Sequence, residues 1–502
     1  MIHTEKLKQA LAFQQKNKLT EAVALLENIL SEDPENPDAL HGLGLCYVQN
    51  HQLNKALPYL KKAVILAPKI PGFHNNLGNL YKALGQLNAA EIHYQEALRL
   101  KSPYPEALNN LAALYYLQGQ TQTAINLLKK AIREDPDSVD AHYNLGNCLA
   151  SQERLLEANT HYQKVLELHP DHLAAMHNLG ISLTTLKDFT AAKPLLANVL
   201  AKDPNNLNAA YHLGIIEGAL GNVESAQSLY QKVIALDPNH GAAHHNLATL
   251  FLLQKQSTEA LKHYQIAYQL MPENQTAKHM IAALTGQTDP AGAPLEYVRA
   301  LFDQYAYNYD QHVQEQLHYQ VPFLLRQTLT PYINEIPHPW DVLDLGCGTG
   351  LCLPYFNDIA GKIIGVDLSP TMIEVARQKG GYYALHTDDI ESHLEKQQNQ
   401  FDLILAADVF VYFGQLQTIF AKCFRALKTP GFFAFSIETS QETGHPFTLQ
   451  LSGRYKHHPN YILQLAKDNQ FLVKTQQAVS LRRQENSAVE GYLFVLTKTK
   501  AI

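Results

Sequence analysis

The chain has 502 residues, 46% hydrophobic and 17% charged, with a formal net charge of −7 and a pI near 6.4. That length exceeds what one hydrophobic core sustains, so at least two domains are expected. The charge balance excludes a global basic field for nucleic acid or an anionic membrane surface.

Five scattered cysteines, with no C-x-x-C spacing, argue against a disulfide framework or a zinc site. The N-terminal MIHTEKLKQALAFQQK is too polar for a signal peptide, and no run of about 18 apolar residues occurs that could span a membrane. The expectation is a soluble cytoplasmic protein with no metal.

From the N-terminus, prolines recur at 34, 68, 136, 170, 204, 238 and 272, a step of 34 interrupted only where Ser102 precedes Pro103. Alanine keeps the same step from Ala22 to Ala260, and an apolar residue keeps it from Leu43 to Ile281. A small residue follows each of the latter, as in Gly44, Gly78, Ala112 and Gly146. Two small-residue phases per period predict two short, closely approaching antiparallel helices, with proline opening the turn after the second. One such pair cannot bury its own apolar face, so stacking is required and a solenoid results.

These positions resemble the tetratricopeptide repeat over residues 3–285, as eight repeats plus a capping helix. The resemblance implies an all-α superhelical array whose concave wall carries Asn76, Asn110, Asn144, Asn178 and Asn246, each just before the constant apolar residue. Carboxamides both donate and accept, which suits an extended peptide backbone. A similar asparagine ladder serves the O-GlcNAc transferases, so a protein or peptide in the groove is one expectation. The other is that these asparagines bond neighbouring repeats.

The period fails after Leu284. Residues 286–294 are rich in glycine and proline and read as a linker. Helical spacing resumes at 295–316, a second helix is expected at 321–333, and strands then alternate with helices. Strands are expected at 341–345, 362–367, 382–386, 401–406, 431–438, 471–480 and 491–497, with helices near 350–358, 370–379, 415–428 and 459–469. Such alternation predicts a mostly parallel, seven-stranded mixed sheet, its last two strands antiparallel. Residues 295–502 would form this Rossmann-like α/β domain.

The first strand ends in Asp344 and opens into Gly346, Gly348 and Gly350, a loop at the carboxyl edge of the sheet where open α/β folds bind ligands. Glycine admits positive φ and lets a ligand touch the main chain. Asp367 ends the second strand, 21 residues after Gly346, in a position to accept ribose hydroxyls. Two features disfavour a dinucleotide: Leu351 stands where its fingerprint needs glycine, and Asp344 would repel a pyrophosphate. A carboxylate there welcomes a ligand carrying an amine and a sulfonium.

In this pattern the segment resembles the class I methyltransferases that use S-adenosylmethionine. That resemblance implies cofactor contacts from Asp344, the three glycines, Asp367 and Leu368. It adds Asp389 on the adenine amino group, with Asp388 as rival, and Ile390 on the ring. Ala406 ends the fourth strand facing the methyl group. The segment around Tyr305 and Tyr309 is similar to the leading helix that folds over the cofactor in small-molecule methyltransferases.

Candidate catalytic residues are Asp408, past the fourth strand, and His457. Arg454, Tyr455 and His457 precede a helix N-terminus suited to an anionic substrate group. That segment resembles one in uncharacterised methyltransferases that carry tetratricopeptide repeats. Two readings stand: a methyltransferase whose repeats bind a polypeptide, and a small-molecule methyltransferase with the repeats as an independent scaffold.

Overall fold

The computed structural model describes residues 2–287, 292–306, 309–311, 313, 317–440, 444–484 and 487–499. The chain divides into two compact units, Met1–Leu236 and Asp237–Ile502. Among the described residues no helix is long and apolar enough to cross a membrane.

The first unit is a run of helical hairpins from Ile2–Gln15 to Val223–Leu236, each helix packed on its sequence neighbours. The small-residue phases have a steric cause. A Cβ placed on Gly78, Gly146 or Gly214 would lie 2.5–2.7 Å from the ring of Tyr94, Tyr162 or Tyr230, and on Gly44 or Gly180 as close to Leu60 or Leu196. The second helix of each pair therefore rests directly on the backbone of the first. The alanine phase (Ala22, Ala56, Ala90, Ala124, Ala158, Ala192) is fully buried for the same close approach. The first helices begin at a fixed phase too: Asn36, Ser138, His172 and Asn206 each accept from the backbone N–H three residues on, capping the helix.

The asparagines are spent largely between repeats. Asn110 Nδ2 donates to Asn75 Oδ1 at 3.0 Å and Asn144 Nδ2 to Asn109 Oδ1 at 2.8 Å, while Asn76 Nδ2 meets His41 Nε2 at 3.0 Å. Asn178 Nδ2 reaches Asn147 Oδ1 at 2.9 Å and the Tyr143 hydroxyl at 3.3 Å. Each of these amides thus donates to the repeat before its own.

The second unit opens with one further helical pair, Gly241–Leu253 and Ser257–Leu270, followed by the helix Gln275–Thr285. Asn246 is half-buried on the first of these. Helices Leu295–Tyr305 and Val321–Leu329 lead into a seven-stranded sheet. Its strands are β1 (Trp340–Leu345), β2 (Ala360–Asp367), β3 (Ala384–Thr387), β4 (Phe401–Ala406), β5 (Leu427–Glu438), β8 (Phe471–Gln484) and β9 (Ser487–Lys498), while β6 (Phe447–Leu449) and β7 (Tyr455–His457) pair apart from it.

The order is β3-β2-β1-β4-β5-β9-β8, with β1 to β5 parallel and β9 antiparallel to both its neighbours. Alternating residues feed two cores. Leu343, Leu345, Ile404, Ala406, Phe433 and Phe435 face one side, and Val342, Leu403, Leu405, Phe432 and Ala434 the other. Helices Gln417–Ala426 and Pro459–Asp468 cover the first core and Val321–Leu329 the second.

The architecture is the one expected, and the differences are local. The segment expected as one helix over 295–316 holds the helix Leu295–Tyr305 and a short turn at Tyr309–Gln311, several residues between and after them lying outside those described. The helix near 350–358 shortens to Leu353–Phe356, because Gly350 still holds a positive φ of 89°. The hairpin β6–β7 and the helix Ile390–Glu395 were not expected.

Candidate functional site

The strand order reverses between β1 and β4, and open α/β sheets bind ligands at such a point. A cavity of about 880 Å³ lies there, near the top of the range for ligand pockets. The β1 loop forms its floor, with φ of 62° at Gly346 and 54° at Gly348. Gly346 is required by packing, since a Cβ would sit 2.7 Å from Val409 Cγ2. At Gly348 a Cβ would meet nothing within 4 Å, so its missing side chain opens the cavity to the main chain. Gly350 instead packs on Tyr382.

Asp344 is 1% exposed. Its Oδ2 accepts from the Tyr382 hydroxyl at 2.7 Å, while Oδ1 has no hydrogen-bond partner among the described residues. Burial raises its pKa to about 7 against the opposing Tyr382 bond. Asp344 is not among the residues lining the cavity, and the Cys352 thiol also bears on its carboxylate.

Asp367, at the end of β2, accepts from the backbone N–H of Gly348 at 2.9 Å and of Ser369 at 2.8 Å, one on each oxygen. Each oxygen retains acceptor capacity toward the cavity, which Asp367 lines together with Leu368. Asp389 caps the helix Ile390–Glu395 through Ser392 N at 2.9 Å and lines the cavity beside Ile390. Asp388 turns to His393 and Lys396 instead. Ala406 is buried in the β4 core, and its neighbours Ala407 and Asp408 form the wall, because side chains alternate at the strand end.

Phe302 and Tyr309 also line the cavity. The Tyr305 side chain lies outside the described residues. The leading segment is tied to both ends of the helix Pro370–Lys379: Asp303 accepts from the Ser369 hydroxyl, and Asp310 from the Thr349 hydroxyl and the Lys379 ammonium.

Beyond β4 stands a charge cluster that no local motif announces. Arg454 lies 3.0 Å from Asp408 and 2.8 Å from Glu438, and Arg482 lies 3.2 Å and 2.5 Å from the same two acids. Two guanidiniums and two carboxylates balance in a mostly buried place, with the Tyr412 ring 5.3 Å from the Arg454 guanidinium. Asp408 sits at a φ of 59°, its N–H donating to Ser436 Oγ.

Asp408 is the one sequence-chosen catalytic residue on the cavity wall, and it is held by two arginines rather than free as a base. His457 is fully buried away from the cavity; its Nε2 donates to the Gly414 carbonyl at 3.1 Å, and burial lowers its pKa to about 4. It stays neutral and cannot reach a substrate. Tyr455 is likewise buried, in β7. Glu438 and Arg482 escaped the sequence reading because β5 and β8 bring them to Asp408 from positions 30 and 74 residues away. Tyr412 and Phe302 carried at most the signal of aromatic residues beside a strand end or in a leading helix.

Residues 343–435 match the methyltransferase domain family. Residues 13–69, 72–133, 115–180 and 183–251 match tetratricopeptide repeat families. A malonyl-[acyl-carrier protein] O-methyltransferase of Priestia megaterium is 31% identical over 151 residues, covering 28% of this chain and 51% of that protein. A ubiquinone biosynthesis O-methyltransferase of Chelativorans sp. is 31% identical over 93 residues, covering 18% and 37%. The chain thus spans about half or less of the length of these curated relatives. Among solved structures, MamA from Desulfovibrio magneticus RS-1 overlaps 34% of this chain and 96% of its own, at 25% identity and a TM-score of 0.32. The chain carries tetratricopeptide repeats in its N-terminal part and a methyltransferase domain in its C-terminal part.

Proposed function

We propose that the C-terminal unit is an S-adenosylmethionine-dependent O-methyltransferase acting on a small acceptor whose oxygen is already ionised, a carboxylate. The observation that supports the cofactor is the cavity at the reversal of strand order, where Gly346, Gly348, Asp367, Leu368, Asp389 and Ile390 come together. Asp344 would take the amino group, Asp367 the ribose hydroxyls, and Asp389 with Ile390 the adenine. The cofactor supplies a methyl group on a sulfonium, an excellent leaving group, so the protein's task is alignment in a dry pocket. Phe302, Tyr309 and Tyr412 exclude water from the transfer line.

The acceptor class rests on Asp408. Both of its carboxylate oxygens are engaged by Arg454 and Arg482, an arrangement that favours an acceptor oxygen needing no base. A relative that methylates a malonyl group supports the same choice.

The test has two steps. Calorimetry with S-adenosylmethionine should give one site on the wild type and none on Asp367→Ala. Transfer of a labelled methyl from the cofactor should then yield an alkali-labile product, as methyl esters are. An alkali-stable label would discard the carboxylate while keeping the enzyme class. For the repeats, we propose a polypeptide-docking role through groups other than the asparagine amides already used between repeats.

A further inference from the structure

The helix Gln275–Thr285 continues the repeat pattern, yet three of its side chains, Gln275, Lys278 and His279, line the cavity with Asp367 and Asp408. His279 is 2% exposed and its Nε2 donates to the Gly453 carbonyl at 2.9 Å. Gly453 is also closely approached by other side chains: at φ 75°, a Cβ there would lie 2.8 Å from the Tyr297 hydroxyl and 3.3 Å from Met280 Sδ. Tyr297 belongs to the leading helix Leu295–Tyr305, and its hydroxyl donates to the Ser452 carbonyl at 3.5 Å. The next residue, Arg454, carries the charge cluster that fixes Asp408 on the cavity wall.

We infer that the terminal repeat helix is a working wall of the methyl-transfer site, with His279 as a positioning residue. It acts through Gly453 on Arg454 and Asp408, so that cavity occupancy and the state of this repeat helix are coupled. The coupling is reciprocal by thermodynamic necessity. An array serving only as an independent scaffold has no need of a buried histidine reaching into the catalytic unit. The inference rests on the cofactor reading above.

The test uses the full chain and S-adenosylhomocysteine as probe. The described cysteines are all buried, so in Lys278→Cys the introduced thiol is the one exposed target for a maleimide. Saturating probe should slow its alkylation by about fivefold or more, the lower end of typical coupling. Adding His279→Leu should remove that protection and weaken the probe by a comparable factor, since the coupling is reciprocal, and His279→Gln, which keeps a donor for the Gly453 carbonyl, should restore both. Unchanged alkylation with probe bound overturns the inference and leaves the cofactor reading standing, as does equal behaviour of the Leu and Gln variants. Failure of the wild type to bind the probe defeats the cofactor reading first, and this inference with it.

Discussion

Replacing Asp344 by asparagine should stabilise the ligand-free protein and abolish its response to cofactor. The folded pKa of Asp344 is raised from 3.8 to about 7, so the folded state binds this proton more tightly than the unfolded chain. Stability therefore falls as pH rises from about 4 to about 7, and at pH 8 the full penalty is present, about 4 kcal/mol. Asparagine removes the charge, but its amide N–H groups take the place of Oδ1, which has no partner, at a cost of roughly 1–3 kcal/mol.

The net expectation is a gain of about 2 kcal/mol, or about 4–8 °C in melting temperature at pH 8. Wild type at a hundredfold excess of S-adenosylmethionine over Kd should gain about 2.7 kcal/mol from binding, and Asp344→Asn should gain almost none. Thermal unfolding at pH 5 and pH 8, with and without the cofactor, reads both effects. A variant that melts lower than wild type at pH 8, or still rises with cofactor, would refute the view that this carboxylate awaits a cation.

Three other outcomes are expected. His457 has its folded pKa lowered to about 4 from 6.5 by burial, so the unfolded chain takes its proton first; its contribution is complete above pH 6.5 and is lost as pH falls toward 4. The loss should total about 3 kcal/mol, visible in urea unfolding as a pH slope that His457→Leu flattens. Asp408→Asn leaves two guanidiniums facing Glu438 alone and should cost about 3 kcal/mol of stability, measured by denaturant titration. Asn144→Ala removes one bond between repeats and should lower stability by about 1 kcal/mol without touching cofactor binding in calorimetry.

The repeats were legible because packing imposes them: Gly44, Gly78, Gly146, Gly180 and Gly214 each face a tyrosine or leucine of the partner helix with which a larger residue would collide, and the alanine phase is fully buried. That Gly346, Gly348, Asp367 and Asp389 line one cavity was legible because they lie at or just past strand ends, at spacings the chain itself sets, whereas Asp344, also at a strand end, is buried outside that lining. Local sequence determined these. It could not assign the asparagines, whose partners sit one repeat away, nor show that His457 turns inward to the Gly414 carbonyl. It could not reveal that Asp408 is neutralised by Arg454 and Arg482, or that His279 of a repeat helix holds Gly453 beside them. Burial and ion pairing are properties of neighbours distant in the chain. Only the folded arrangement of β5, β8 and the terminal repeat helix decides which charges are free to do chemistry.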